Sequence, residues 1–127
     1  MTLEELSHFC CSLPAVSTTE IPPPGNLFRF LVDDRAFAYY KTSEPEKGRF
    51  SLHVDPERFL ELTDQPGIKP ARYMARFGWV TIVEVQCIPD LWLRQWLLDS
   101  YRHAVRRLGK RRGGQLLNRL DQLIANE

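Results

Sequence analysis

Three short runs rich in aromatic and β-branched side chains dominate residues 27–54: LFRFLV at 27–32, AFAYYK at 36–41 and RFSLHV at 49–54. The polar turn Asp-Asp-Arg at 33–35 separates the first two runs, which predicts a β-hairpin. In the third run, hydrophobic residues at even positions alternate with polar residues at odd positions, so the two sets point to opposite faces. The sequence therefore predicts a sheet with one buried face and one polar face.

Helical patterns surround these strands. Thr2 and Glu5 form a capping box at the start of the first helix, which Pro14 ends. Asp55-Pro56 and Pro89-Asp90 open two others, and glycines follow their ends. Leucines at helical spacing follow the flexible pair Gly113-Gly114. The predicted helices cover about residues 3–13, 56–64, 90–108 and 114–126.

Two more extended segments and a linker complete the pattern. WVTIVEV at 79–85 is β-branched and uninterrupted, and residues 72–76 are interpreted as a shorter extended segment. STTEIPPPGN at 17–26 contains three prolines and a glycine, so we interpret it as a stiff linker. The predicted order is α-β-β-β-α-β-β-α with one further C-terminal helix, which is an α+β fold.

Composition limits the class of protein. The 127 residues are 43% hydrophobic and 26% charged, which is typical of one globular domain rather than a disordered chain. The sequence contains neither an apolar run of transmembrane length nor a basic leader, so we expect no membrane partner and a cytoplasmic location. Three cysteines without CxxC spacing favour a reduced protein without a thiolate zinc site.

Charge is distributed unevenly along the chain. Residues 1–64 carry six basic and eleven acidic side chains, whereas residues 65–127 carry eleven basic and five acidic ones. The densest basic stretch is YRHAVRRLGKRR at 101–112, which contains no acid. Such a run attracts phosphate groups, but cations also offset the dipole at a helix C-terminus. Both interpretations stay open from position alone.

Several phrases resemble the MmcQ/YjbR family over about residues 3–110. They are VDDRAFAYY, SLHVDPERFLEL, a Pro70…Tyr73-Met74…Arg76…Trp79-Val80 run, and DSYRHAVRRLGK. Members of that family have a Lys-x-Phe-Ala strand, a strand ending in Asp-Pro-Glu, a Trp-Val strand and a long helix containing Ser-Tyr. This chain departs from the pattern at two positions, with Arg35 and His53 where lysines are usual.

The resemblance implies a fold, a division of the chain and a function. The fold is a two-layer sandwich with an antiparallel sheet, similar in outline to type III secretion chaperones and to frataxin. A family domain would occupy residues 1–110, followed by a C-terminal helical extension at 111–127. The family also carries the label of a DNA-binding domain with a double-wing motif, so the resemblance implies DNA as a partner.

No motif predicts catalysis. His8, His53 and His103 are far apart in the sequence, and nothing in the pattern brings two of them together. RRGGQ lacks the strand and the Lys-Ser/Thr pair of a phosphate-binding loop, and GxSxG is absent. Iron would require a ridge of acidic side chains, of which the first helix offers two. We therefore expect no enzyme, no cofactor and no metal site.

Binding is the remaining class of function. Alternation places Arg29, Tyr39 and Lys41 beside Arg49 on the open sheet face, where cations and an aromatic ring suit phosphate attraction and base stacking. An ordinary solvated face is the alternative. We predict that DNA, or nucleic acid generally, binds through basic patches, with the Arg102–Arg112 run making the larger electrostatic contribution. The predicted residues are Arg35, Lys41, Arg49, Lys69, Arg72, Arg76, Arg102, Arg106, Arg107, Lys110, Arg111 and Arg112.

A protein-interaction or chaperone-like module is the alternative function. The leucines of the last helix must be buried, either on the domain itself or against a second copy. We favour the second arrangement, a homodimer through residues 114–126. Trp92 lies off the main apolar stripe of its helix and is a candidate anchor for the tail or for a partner.

Overall fold

The computed structural model of the protein describes residues 1–126. It contains four helices and one six-stranded antiparallel sheet, which confirms the predicted α+β class. The helices are α1 Leu3–Ser12, α2 Pro56–Thr63, α3 Asp90–Arg106 and α4 Lys110–Ala125. The strands are β1 Val16–Ile21, β2 Leu27–Val32, β3 Arg35–Lys41, β4 Phe50–His53, β5 Ile68–Pro70 and β6 Trp79–Ile82.

The strands are ordered β1-β2-β3-β4-β6-β5, and every neighbouring pair is antiparallel. The hairpin predicted around residues 33–35 joins β2 to β3. A register shift opposite Phe30 and Leu31 bulges β3, so that the consecutive residues Phe37 and Ala38 are both buried. One row of register partners crosses the whole sheet: Thr19, Arg29, Tyr39, Ser51, Thr81 and Lys69.

The hydrophobic core lies between the sheet and the helices. Phe30, Phe50 and Leu97 are fully buried there, and α3 packs mainly across β3 and β4. The buried hydroxyl of Ser100 on α3 accepts the His53 backbone N–H at 3.0 Å and donates to the Phe37 carbonyl at 2.6 Å. This side chain therefore fixes the position of α3 on two strands at once.

Two local predictions in the strands are wrong. The presumed linker contains β1, whose β-branched polar residues suit an exposed edge strand paired along its full length with β2. Residues 72–76 are not a strand, since β5 lies earlier, at 68–70, and a 3-10 turn occupies Ala75–Phe77. Tyr73 (φ 67°) and Gly78 (φ 88°) adopt the left-handed conformation, which turns this connection back toward β6.

The C-terminal helix also differs from the prediction. α3 ends at Arg106, Gly109 (φ 91°) is the N-cap of α4, and α4 continues from Lys110 through Gly113 and Gly114, so the predicted flexible break is wrong. A Cβ on Gly113 would lie 3.0 Å from the Val105 carbonyl oxygen, so glycine permits the close approach of α4 to α3. The predicted boundary at 110/111 falls within the first turn of α4, and Glu127 lies outside the described residues.

Two of the tail leucines, Leu116 and Leu120, are fully buried in the core of their own chain. Leu123 and Ile124, at the other end of α4, stay exposed. Arg112, in the first turn of α4, forms two hydrogen bonds with the Asp33 carboxylate, at 2.9 and 3.0 Å. The helix is therefore docked on its own domain, and a homodimer would have to use the exposed pair.

The N-terminal prediction is confirmed. Thr2 and Glu5 make both hydrogen bonds of the capping box at the start of α1, and Cys10 is fully buried in the core. Within residues 1–126, no helix combines the length and the apolar character of a transmembrane segment.

Candidate functional site

A cleft of about 340 Å³ lies on the face of the sheet opposite the helices. Register partners from four strands form its floor, and the β5–β6 connection forms one wall. We call it the aromatic cleft. It is lined by Ile21, Leu27, Arg29, Ala36, Tyr39, Lys41, Glu46, Arg49, Ser51, Arg72, Tyr73, Met74, Trp79 and Thr81.

Aromatic rings and hydroxyls provide the neutral surface of the aromatic cleft. The ring centroids of Tyr39 and Trp79 lie 5.5 Å apart, and burial raises the pKa of the Tyr39 phenol. Tyr73 projects from the wall and is 88% exposed, which leaves both faces of its ring available. The hydroxyls of Ser51 and Thr81 are hydrogen-bonded to each other at 2.7 Å on the floor. Flat rings next to hydroxyls suit a planar polar ligand.

The charge in the aromatic cleft is positive. Arg29, Lys41, Arg49 and Arg72 line it, and Glu46 is the only acid among the lining residues. Glu46 lies between two of these cations, 3.7 Å from Arg49 and 3.5 Å from Arg72. The Nε of Arg29 is shielded from solvent and has no hydrogen-bond partner within residues 1–126. A buried donor without an acceptor is energetically costly.

A second pocket of about 390 Å³ adjoins the first at Ala36, Met74 and Trp79, which line both. We call it the histidine pocket. Its remaining lining residues are Asp34, Arg35, His53, Phe77, Ser100, His103, Ala104 and Arg107.

Two imidazole rings stack in the histidine pocket. The centroids of His53 and His103 lie 3.6 Å apart with only 9° between the ring planes. The expectation that no two histidines come together is therefore wrong, because α3 crosses the end of β4. His53 is only 8% exposed rather than facing solvent, and Gly78 leaves room for it, since a Cβ there would lie 2.9 Å from its Nε2.

Burial keeps both rings uncharged near neutral pH. It lowers the pKa of His53 to about 4, with His103 and Arg107 acting in the same direction and Asp55 opposing. The pKa of His103 is lowered by burial and by Arg107 and Arg106, again against Asp55. Within residues 1–126, no group of three or more His, Cys, Asp or Glu side chains could hold a metal ion.

The structure separates the twelve predicted residues into several groups. The aromatic cleft contains Lys41, Arg49 and Arg72, and the histidine pocket contains Arg35 and Arg107. Lys69 ends the row that crosses the sheet, and Arg76 lies 4.7 Å over the Phe77 ring. Arg106, Lys110 and Arg111 are exposed where α3 meets α4, and we call these three the corner patch.

The basic run at 101–112 is thus divided rather than continuous. Arg102 pairs with Asp99 on its own helix at 3.4 Å, and Arg112 pairs with Asp33 in the β2–β3 turn. The Arg112 guanidinium lowers the pKa of the Asp33 carboxyl, as expected for a charge-assisted pair. In the described part of the chain, the corner patch has no acidic partner within ion-pair distance.

Several residues of the site were not among the predicted ones. Strand alternation placed Arg29 and Tyr39 on the open face, but neither was included among the predicted binding residues. Trp79 was expected in a strand, and although nearly buried it lines both pockets. Tyr73 carries no sequence signal, because its position depends on the path of the β5–β6 connection.

Comparisons with known proteins agree with this fold. The family model YjbR matches residues 11–103. The crystal structure of Deinococcus radiodurans protein DR2400, which has a DUF419 domain, is similar with a TM-score of 0.74. The two chains are 28% identical, and the match covers 91% of this chain and 87% of that one. No curated protein matches the chain. The fold, the order of elements and the matched residues together show that this chain belongs to the YjbR family.

Proposed function

We propose that this chain is a non-catalytic domain that binds single-stranded nucleic acid in the aromatic cleft. The observation that carries the proposal is a single cleft whose lining combines four cations and one acid with three aromatic rings. Cations that follow the phosphate backbone and rings on which bases stack are the two requirements for binding single strands.

The shape of the aromatic cleft favours a single strand over a duplex. A cavity of about 340 Å³ admits a base or two, whereas the bases of a duplex stay stacked inside the helix. Tyr73 stands at the wall with both ring faces free, in the position of a stacking platform. A single strand can place a base against Tyr73 while its phosphates lie near Lys41 and Arg49.

The proposal of binding without catalysis is supported by the hydrogen bonds of the serine that lines the histidine pocket. Ser100 lines the histidine pocket, but its proton is donated to the Phe37 carbonyl and its oxygen accepts the His53 backbone N–H. A nucleophilic serine must instead donate its proton to an imidazole base. Ser100 therefore serves the attachment of α3 to the sheet.

Fluorescence anisotropy with a labelled single-stranded oligonucleotide in a salt series tests the proposal. Tyr73→Asn, which keeps a residue tolerant of positive φ, should weaken binding roughly 5- to 100-fold through lost stacking. Lys41→Ala should weaken binding and reduce the slope of log affinity against log salt by about 0.7. Arg119→Ala, which removes an exposed cation on α4, is the matched control and should bind like the wild type.

Three outcomes would contradict the proposal. They are affinity independent of salt, wild-type affinity in Tyr73→Asn, and tighter binding of a duplex than of the single strand. The same assay tests the predicted dominance of the basic run. If Arg106→Ala with Arg111→Ala flattens the salt slope more than Lys41→Ala with Arg72→Ala, the corner patch makes the larger electrostatic contribution.

A protein-interaction role is the second candidate. Leu91 and Trp92 at the start of α3 are 79% and 51% exposed, and Leu123 and Ile124 line a shallow hollow beside Leu98. We propose that the chain forms a homodimer through Leu123 and Ile124. Light scattering at high protein concentration tests it: Leu123→Ser with Ile124→Ser should convert a dimer to a monomer, and a monomeric wild type would reject it.

A further inference from the structure

The histidine pocket is not needed to explain base stacking, yet it lies beside the aromatic cleft. Ala36, Met74 and Trp79 line both cavities, so a strand bound in the first lies close to the second. The groups of the histidine pocket are therefore near enough to contribute to the same binding surface.

Hydrogen-bond donors predominate in the histidine pocket. Arg35 and Arg107 line it, and neither has an acidic partner within ion-pair distance in residues 1–126. Asp34 is the one carboxylate among the lining residues. An arginine pair with an imidazole is a donor set that suits the oxygens of a phosphate group.

Several charged groups lie around the stacked imidazoles. Asp34 lies in the β2–β3 turn and Asp55 follows β4, while Arg106 and Arg107 lie on the same helix as His103. The neighbouring Asp33 is already held by Arg112.

Only one of the two rings can accept a proton easily. Their centroids are 3.6 Å apart, so two charged rings would repel each other strongly. His53 is the more buried ring, and burial lowers its pKa to about 4. His103 is partly exposed on α3 and therefore takes the first proton.

We infer that the histidine pocket is a phosphate subsite of the nucleic-acid-binding surface, held by Arg35 and Arg107 and strengthened when His103 is protonated. The inference rests on the proposed function for the source of the phosphate, a backbone group of the bound strand. An anion beside His103 favours its charged form, and by linkage the anion then binds more tightly as the pH falls.

Two measurements test the subsite independently. The first is an NMR titration of the imidazole resonances with sulfate, whose charge stays constant over the range of about pH 5 to 8 in which histidine titrates. Sulfate should raise the pKa at which His103 titrates, and Arg35→Gln with Arg107→Gln should abolish that shift. Each unit of increase corresponds to about a tenfold gain in anion affinity at low pH.

The second measurement is the affinity for the single-stranded oligonucleotide as a function of pH. Wild type and His8→Gln, which removes an exposed imidazole on α1, should bind more tightly as the pH falls, whereas His103→Gln should lose that dependence. A His103→Gln profile equal to the wild type, or a sulfate titration that leaves His103 unchanged, overturns the inference.

The two proposals fail in different ways. If the oligonucleotide does not bind at any pH but sulfate still raises the pKa of His103, the proposed function fails and the anion subsite is retained. If the oligonucleotide binds with Tyr73-dependent affinity but without dependence on His103, the proposed function stands and the subsite is rejected. Matching backbone NMR spectra of His103→Gln and wild type establish that the variant is folded.

Discussion

Gly113 and Gly114 are neighbours in α4 that face different surroundings, and alanine at each position separates helix propensity from packing. A Cβ on Gly113 would lie 3.0 Å from the Val105 carbonyl oxygen of α3, whereas a Cβ on Gly114 would meet no atom within 4 Å. Alanine stabilises a helix over glycine by about 1 kcal/mol, and this gain is common to both positions.

We expect Gly114→Ala to raise the free energy of unfolding by about 1 kcal/mol and the melting temperature by about 3–5 °C. Gly113→Ala has the same gain in propensity, but its methyl group must displace the backbone of α3. Overpacking of this kind costs about 1–3 kcal/mol, so the net change lies between about zero and a loss of about 2 kcal/mol.

Urea unfolding followed by circular dichroism measures both variants against the wild type. The expected result is that Gly113→Ala is less stable than Gly114→Ala by at least about 1 kcal/mol. Equal stabilisation in both variants would refute the reasoning, because it would mean that α4 does not pack closely on Val105.

Two further changes should affect stability. Between about pH 7 and 5 the free energy of unfolding should fall by about 2 kcal/mol, because the pKa of His53 is 6.5 in the unfolded chain and about 4 in the folded one. The stability that the neutral His53 ring contributes is therefore complete above pH 6.5 and is lost as the pH falls toward 4. In urea titrations at several pH values, His53→Gln should lose most of the pH dependence of the free energy of unfolding, and His8→Gln should keep it. The same pH dependence in both variants would contradict the assignment to His53. Tyr101→Phe removes the 2.7 Å hydrogen bond to the Pro14 carbonyl and should cost about 1–2 kcal/mol, and no loss would contradict this.

Local sequence patterns were sufficient to predict the helices and strands in which hydrophobic residues recur at regular spacing. The alternation at 49–54 and the polar turn at 33–35 predicted β4 and the β2–β3 hairpin because a half-buried strand must alternate. The edge strand β1 has no such alternation, since its central residues are all exposed and it is extended because β2 pairs with it. The prolines that follow it belong to the turn after the strand.

Contacts between distant segments explain why much of the candidate site could not be predicted. Alternation placed Arg29 and Lys41 on the open face, but Tyr73 reaches it only through the left-handed turn of the β5–β6 connection. His53 and His103 come together because α3 crosses the end of β4, which no local spacing indicates. The continuous basic run likewise divides at Gly109, where the chain reverses into α4.

The side chains of the open face lie outside the core that stabilises the fold. The four central members of the row that crosses the sheet line the cleft, whereas the fully buried aromatic and leucine side chains lie on the other side of the sheet. Substitutions at exposed positions of this face therefore change stability little. Because the ligand-facing side of the sheet is separate from the core, it tolerates mutation. Related chains can therefore acquire different binding specificities on the same fold.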